Sequence, residues 1–345
     1  MKLVIQIPCY NEEATLNATL SSLPRKLPGI TEIEWLIVDD GSLDGTIKVA
    51  EAFGVHQIVK FPKNRGLARA FMAGLEASLA AGADIVVNLD ADNQYCADDI
   101  PKLVQPILEG RAEMVVGSRQ IDEIRHFSFW KKRLQRLGSW LVRVASNTDV
   151  ADAPSGFRAM SRNAALRLNV FNEYTYTLET VIQAGRRGIT VLSVPIRTNE
   201  QLRPSKLVKS TFDYVMRSIL TILRIFMIYC PMRFFLFLGV IPFSLGVLLG
   251  IRWLILFWNI HPASHIPSLV LTAILLIFGL QLWVVGLIAN LQAVNRSLLE
   301  DIQLRVRQSQ ISYHPNVPRP TNLATLTNSN SSLEVGLDKT VHARE

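Results

Sequence analysis

Cysteine is scarce in this chain. There are three in 345 residues, Cys9, Cys96 and Cys230, far apart and with no Cys-x-x-Cys pair. That pattern argues against a disulfide scaffold and against a zinc site, and it fits a reducing compartment. The N-terminus, Met1-Lys2-Leu3-Val4-Ile5-Gln6-Ile7-Pro8, lacks the small-residue cleavage site of a secretory signal. Its short apolar run reads as a first strand, which places the domain that follows in the cytosol. Charge is absent from Ser268–Leu291, and Lys and Arg are absent from Asn259–Pro267.

What is there begins with an apolar surplus, 49% of the chain, concentrated between Phe234 and Leu291, and a formal net charge of +7. A basic balance suits an anionic partner. The length allows about two domains. Strand-length apolar runs recur at Leu3–Ile7, Trp35–Val38, Gln57–Phe61, Ile85–Leu89, Met114–Val116 and Val191–Ile196. Helical patterns separate the first five at Ala14–Leu23, Thr46–Phe53, Leu67–Ala81 and Asp98–Leu108, with Pro101 in a first turn. Strands apolar throughout, alternating with helices, predict an α/β fold with a mostly parallel sheet covered on both faces. Asp122–Val150 is rich in Lys, Arg and Trp and reads as a helical insertion.

From Leu207 to Tyr229 apolar residues are interrupted by Lys209, Asp213, Arg217 and Arg224, which share one helical face. This predicts an amphipathic helix in the membrane interface; a core helix is the alternative. Phe234–Trp258 and Ser268–Leu291 each approach the ~20 residues that cross a bilayer. Arg252 lies near one end, and Trp253, Trp258 and Trp283 read as interface anchors. Basic residues flank the pair at Arg224/Arg233 and Arg296/Arg305/Arg307, which puts both ends on the cytoplasmic side. The expected organisation is a catalytic domain over 1–206, an interfacial helix over 207–232, a two-helix transmembrane hairpin over 233–295 and a polar, disordered tail over 296–345.

The chemistry-bearing residues gather after strands. Asp90-Ala91-Asp92-Asn93-Gln94 follows Ile85–Leu89, and ligands bind beyond the carboxyl ends of strands in open α/β sheets. Two carboxylates in that spacing suit a hard divalent cation that also takes oxygens from a diphosphate. Pro8-Cys9-Tyr10-Asn11-Glu12-Glu13 follows the first strand and Asp39-Asp40-Gly41-Ser42 the second. Asp39, Asp40 and Glu12 are placed to accept hydrogen bonds from a nucleobase and a ribose, with Tyr10 against the base. Asp44 resembles a helix N-cap, and capping alone is the competing account of these acids. Asn64-Arg65-Gly66 opens the long helix, where Arg65 and the helix N-terminus suit an anion.

The ordered series Pro8–Glu12, Asp39–Ser42, Asn64–Gly66, Asp90–Gln94, Gly117-Ser118-Arg119 and Ser155-Gly156-Phe157-Arg158 resembles the family 2 glycosyltransferases of GT-A (Rossmann-like) fold. Within them it is similar to the dolichol-phosphate mannosyltransferase and polyprenyl-phosphate glycosyltransferase group, over roughly Met1 to Leu291. The resemblance implies Asp90, Asp92 and Gln94 as ligands of Mg²⁺ or Mn²⁺, and inversion at the anomeric carbon. It implies a nucleotide-sugar site of Pro8, Tyr10, Asn11, Glu12, Asp39, Asp40, Arg65, Gly66 and Asp90. For an acceptor phosphate it implies Arg119 with a basic residue of the next helix, Lys131 or Arg133, together with Ser155, Arg203 and Lys206. Asp92 and Asp152 are the catalytic candidates, Asp152 either as a base or as the residue that orients the acceptor's basic partners. A phosphate monoester is largely ionised near neutral pH, with a second pKa of ~6, so a base is not required. Glu179 is a further polar candidate or one member of an ion pair.

The function expected is transfer of a sugar from a nucleoside-diphosphate sugar, UDP-glucose, GDP-mannose or similar, to a polyprenyl phosphate at the cytoplasmic face of a bacterial or archaeal plasma membrane. Membrane lipid is a partner, nucleic acid is not, and self-association is left open. A polysaccharide synthase would carry Gln-x-x-Arg-Trp before its membrane helices; the one Arg-Trp here, Arg252-Trp253, lies inside a span. The remaining rivals are a membrane-bound glycosyltransferase with another acceptor and a non-catalytic subunit assisting the flipping of a lipid-linked sugar.

Overall fold

The computed structural model describes residues 1–119, 140, 142–144, 146–170, 176–199, 223–224, 226–259 and 266–313. Lys131, Arg133, Arg203, Lys206 and most of 207–232 lie outside the described residues. The chain forms two compact units, 1–207 with 306–345 and 208–305.

The first unit is a seven-stranded sheet with helices on both faces. In chain order its elements are β1 (Lys2–Cys9), α1 (Glu13–Ser21), β2 (Glu32–Asp39), α2 (Thr46–Ala52), β3 (Gln57–Lys60), α3 (Leu67–Ala80), β4 (Ile85–Asn88), a 3₁₀ turn (Ala97–Asp99), α4 (Ile100–Leu108), β5 (Met114–Arg119), β6 (Arg158–Ser161), α5 (Arg162–Arg167), α6 (Thr177–Arg186) and β7 (Val191–Ile196). The strand order is β3-β2-β1-β4-β6-β5-β7. All neighbours are parallel except β6, which runs against β4 and β5.

Alternation along β1 explains the layers. Leu3, Ile5 and Ile7 join Leu16 and Leu20 of α1 and Ile100, Leu103 and Val104 of α4 in one core cluster. The opposite side of β1 meets α3, where Gln6 Nε2 donates to the Phe71 carbonyl at 3.4 Å. Burial on both faces is why these strands read as largely apolar runs rather than as an apolar-polar alternation. The strand missed by that reading is β6, four residues opened by the buried Arg158, with no run long enough to register.

The topology decides where a ligand can sit. From β1 the chain moves outward to β2 and β3 on one side, then returns to place β4 on the other. That reversal opens a crevice at the carboxyl ends of β1 and β4. Because β6 is antiparallel, its beginning lies at the same sheet edge as the ends of β1, β2, β4, β5 and β7. Past β7, Arg197 is tied back to the buried Asp99: its backbone N donates at 2.7 Å, Nε at 3.1 Å and Nη2 at 2.8 Å, and Lys102 Nζ adds an ion pair at 2.9 Å.

The second unit contains α7 (Pro231–Asn259) and, up to Arg305, most of α8 (Ile266–Tyr313); both helices are long and apolar enough to cross a membrane. They pack antiparallel through small residues. A Cβ on Gly239 would fall 2.6 Å from the Trp283 ring and one on Gly279 would fall 2.7 Å from Phe243 Cβ, while Gly246 faces Leu276 and Gly286 faces Phe235. Backbones come this close only where side chains are missing. Trp283 packs against α7, donating from Nε1 to the Leu236 carbonyl at 3.2 Å. The structure also differs at the end of the hairpin: α8 runs past residue 295 into the stretch expected to be tail, and ends at Tyr313. Leu298, Leu299, Ile302 and Val306 continue a helical spacing there that the polar residues between them obscure.

Two outcomes follow. Burial opposes ionisation of Asp99, but Arg197 and Lys102 outweigh it and hold the carboxyl below its ordinary value. A depressed carboxyl adds stability above its unfolded pKa and loses it as pH falls through the folded one. Asp99→Asn should therefore destabilise the protein at neutral pH by about 1–3 kcal/mol, and the gap to wild type in thermal unfolding should close below about pH 4. In the hairpin, Gly239→Leu should lower the unfolding midpoint in detergent by the equivalent of about 1–3 kcal/mol through overpacking, whereas Val240→Leu, at an exposed position, should not.

Candidate active site

The first strand end is built from backbone-directed polar groups. Asn11 adopts a left-handed φ of 54°, and its side-chain oxygen accepts from Leu43 N at 2.8 Å while its own N donates to Ser42 Oγ at 2.9 Å. Glu12 donates from N to Thr46 Oγ1 at 2.9 Å and accepts at Oε2 from Thr15 Oγ1 at 2.7 Å. Asp44 accepts from Thr46 N at 3.1 Å and from Glu13 N at 3.2 Å. Asp44 therefore closes the turn before α2, whose N-cap is Gly45 with no side-chain cap bond. Tyr10 is exposed beside these groups and Pro8 is buried at the end of β1.

At the end of β2, Asp39 is fully buried and accepts from Ser42 N at 3.3 Å. Asp40 accepts from the N–H groups of Arg65 at 2.6 Å and Gly66 at 2.9 Å, so it caps the start of α3 from another strand. Burial raises the Asp40 pKa, and those two donors act against the rise. Gly41 makes the turn possible: its φ is +73° and a Cβ would fall 2.5 Å from the Lys63 backbone. Arg65 is exposed and lies over the Phe61 ring at 5.2 Å.

The acidic pair stands at the end of β4. Asp90 has its carboxyl pushed up to about 7, first by burial and then by the charge of Asp92. Arg119 and Arg158 oppose that rise without cancelling it. Asp92 Oδ1 accepts from Gln94 N at 3.0 Å. A carboxyl held so high is a negative site short of positive charge. Among the described residues no three His, Cys, Asp or Glu side chains converge on one point. A cation here would draw on two carboxylates and the Gln94 amide, an all-oxygen set that suits Mg²⁺ or Mn²⁺ and leaves positions for diphosphate and water.

Gly156 lies directly behind Asp90. A Cβ there would fall 2.6 and 2.8 Å from the Asp90 carboxylate oxygens and 2.9 Å from the Tyr176 hydroxyl. A buried chain of hydrogen bonds holds this arrangement. Gln6 Nε2 donates to Asn88 Oδ1 at 2.9 Å, and Asn88 Nδ2 donates to the Gly156 carbonyl and to Tyr176 Oη, each at 2.9 Å. Tyr176 stacks on Phe71 with centroids 4.0 Å apart, and Gly156 N donates to Tyr95 Oη at 3.1 Å. Arg158, fully buried, is held by the carbonyls of Ser155, Ala153 and Thr177 and by Thr180 Oγ1. None of Gln6, Asn88, Tyr95 or Tyr176 was picked out as a site residue in the sequence. The available signal was a Gln and an Asn inside otherwise apolar strands, since a polar side chain buried in a sheet has a partner.

The fixed cation is Arg119, at the end of β5. It grips Asp152 with two parallel bonds, Nε to Oδ2 at 2.7 Å and Nη2 to Oδ1 at 3.0 Å, and its backbone N adds a third at 3.2 Å. Asp152 is fully buried and the Arg119 side chain 11% exposed. Burial disfavours the guanidinium charge, but Tyr95, Asp152 and Asp90 together outweigh it and raise its pKa. Ser155 is buried in the same loop, and Glu179 is buried on α6, accepting from Gln183 Nε2 at 3.4 Å. The site residues called from sequence and described here, from Pro8 to Ser155, all come to one edge of the sheet.

Removing one partner of a buried pair strands the other charge. Arg119→Met should destabilise the protein by about 3–5 kcal/mol, and adding Asp152→Asn should recover a substantial part; thermal unfolding of the three chains checks this.

Known proteins agree with this geometry. The profile of glycosyl transferase family 2 matches residues 4–174. The UDP-N-acetylglucosamine–dolichyl-phosphate N-acetylglucosaminyltransferase of Methanococcus voltae is 32% identical over 217 residues, covering 56% of this chain and 83% of that protein. The undecaprenyl-phosphate mannosyltransferase of Micrococcus luteus is 29% identical over 207 residues, covering 57% of this chain and 83% of that one. The crystal structure of glucosyl-3-phosphoglycerate synthase from Mycobacterium tuberculosis in complex with Mn²⁺, uridine diphosphate and phosphoglyceric acid shares the fold. Its TM-score is 0.50 at 22% identity, over 64% of this chain and 78% of that chain. A sheet whose acidic and basic strand ends meet at one crevice, and relatives matched over most of their own length, lead to one family: this chain belongs to glycosyl transferase family 2.

Proposed function

We propose that this glycosyltransferase moves a sugar from a nucleoside-diphosphate sugar to a polyprenyl phosphate at the cytoplasmic face of a membrane, with inversion at the anomeric carbon. The observation that carries the reading is the pairing, at one sheet edge, of an under-compensated acidic pair with a rigidly held cation: Asp90 and Asp92 in the loop that follows β4, and Arg119, at the end of β5, clamped by Asp152. A diphosphate with its cation suits the first and an acceptor phosphate the second. Two helices able to cross a membrane support a lipid acceptor, as do relatives named for dolichyl phosphate and undecaprenyl phosphate.

In this mechanism an oxygen of the lipid phosphate attacks the anomeric carbon. A new C–O bond forms as the bond to the diphosphate breaks, and the nucleoside diphosphate departs with the electron pair. A divalent cation held by Asp90, Asp92 and Gln94 would neutralise the charge that collects on that leaving group. The acceptor phosphate is ionised near neutral pH, so no proton has to be removed. Asp152, with both oxygens engaged by Arg119, is better suited to aiming that guanidinium than to acting as a base. The nucleotide would lie on the β1, β2 and α3 side, against Tyr10, Asn11, Glu12, Arg65 and Gly66, which are at least partly exposed, with Pro8, Asp39 and Asp40 buried behind them. The chain's contribution is positioning and fixed charge.

Native membranes carrying the protein, given polyprenyl phosphate, Mg²⁺ or Mn²⁺ and labelled UDP-glucose, UDP-N-acetylglucosamine or GDP-mannose in turn, should pass label from one donor into the organic phase. Chelation and Asp92→Asn should abolish it. Gly156→Ala should reduce it about a hundredfold by displacing Asp90, the scale expected of an ångström-sized misplacement, while the unfolding midpoint stays within reach of wild type. Release of nucleoside diphosphate without labelled lipid would overturn the polyprenyl acceptor.

A further inference from the structure

The segment that leaves β7 does not turn away from the site. It runs back along the loop that carries the acidic pair. Thr198 bridges Tyr95 in antiparallel fashion, and the Arg197 carbonyl accepts from Cys96 N at 3.3 Å. Asn199 N donates to the Gln94 carbonyl at 2.9 Å, and its side-chain Nδ2 donates to the carbonyls of Asn93 at 3.0 Å and Tyr95 at 3.3 Å. One residue thus ties down three successive carbonyls.

Within this loop Asn93 holds a left-handed φ of 57°, a conformation that asparagine tolerates better than most non-glycine residues. On its inner side the loop is fixed by Thr19 Oγ1, which donates to the Ala91 carbonyl at 3.0 Å, and by Tyr95 Oη, which accepts from Gly156. On the outer side, the described side chain that binds its backbone is Asn199. Asn199 is itself exposed, so these bonds persist against water because the strap beneath is anchored through Arg197 to Asp99.

We infer that Asn199 is a positioning residue for the cation ligands: it fixes the backbone of Asn93-Gln94-Tyr95 and thereby the places of Asp92 and Gln94. The inference rests on the reading of Asp90, Asp92 and Gln94 as those ligands. It predicts that the identity of the side chain at 199 matters through its two amide hydrogens. A carboxylate of the same shape can only accept, and would face two carbonyl oxygens.

Direct Mn²⁺ binding, read from the loss of the free-ion electron paramagnetic resonance signal on titrating the full-length protein in detergent, tests this without turnover. Asn199→Asp should raise the Mn²⁺ dissociation constant by about tenfold or more, the usual effect of losing a group that orients a ligand, at an unchanged unfolding midpoint. Asn199→Gln, which keeps the amide donors, should bind more tightly than Asn199→Asp. Wild-type Mn²⁺ binding by Asn199→Asp, in a protein where Asp92→Asn has lost it, would overturn the positioning role and leave the ligand reading intact. Equal losses in Asn199→Asp and Asn199→Gln with a lowered midpoint would show general loosening and also overturn it. Equal binding by wild type and Asp92→Asn would instead remove the ligand reading on which the inference stands.

Discussion

Like charge confined at the end of a central strand governs this molecule. Asp90 and Asp92 stand within each other's field, and Asp90 is buried deeply enough that its carboxyl sits near 7. The surrounding structure has to tolerate that charge in a position that water reaches only in part. The protein's own positive groups stop short: Arg119 is committed to Asp152, and Arg158 to a ring of carbonyls. Their fields reach Asp90 and leave it only partly compensated.

Holding such a pair in place requires rigidity on every side, and the fold supplies it in layers. Behind Asp90 the Gln6–Asn88–Tyr176 chain fixes the Gly156 peptide, and the absence of a side chain at 156 is what lets the carboxylate sit there. Beside it, Asp40 completes the start of α3 across from β2. Beyond it, the strap after β7 closes over Asn93–Cys96. In the second unit the same logic of close approach recurs in apolar form, where glycines let α7 and α8 meet backbone to backbone.

Much of the fold was legible because burial on two faces leaves an imprint on sequence. β1, β2 and β4 are built around apolar runs with few polar residues, and the helices between them keep a 3.6-residue pattern, so their bounds agree with expectation to within a few residues. β6 left no imprint: it is short, opens with an arginine and runs against its neighbours, and only its partners β4 and β5 make it a strand. The last helix outran its expected end because Leu298, Leu299, Ile302 and Val306 are thinly spaced among polar residues. Trp283, an indole that fits a membrane interface by type, also bonds the Leu236 carbonyl of the neighbouring helix, a partner that residue type does not indicate.

The site divides along the same line. Sequence alone determined which chemistry is on hand, because acid-x-acid after a strand, acidic turns after two more strands and an arginine after a fourth are local patterns set by chain order. It also determined that two helices would be apolar over a membrane's thickness. Only tertiary structure decided how those groups are used. Whether Asp152 stands alone or is locked onto Arg119, whether Asp40 caps α3, and whether Asn199 touches the Asn93–Tyr95 loop more than a hundred residues earlier are questions of distance between segments remote in sequence. Local propensity carries no information about such contacts; they exist because parallel strands and one reversed strand bring their ends to a single edge.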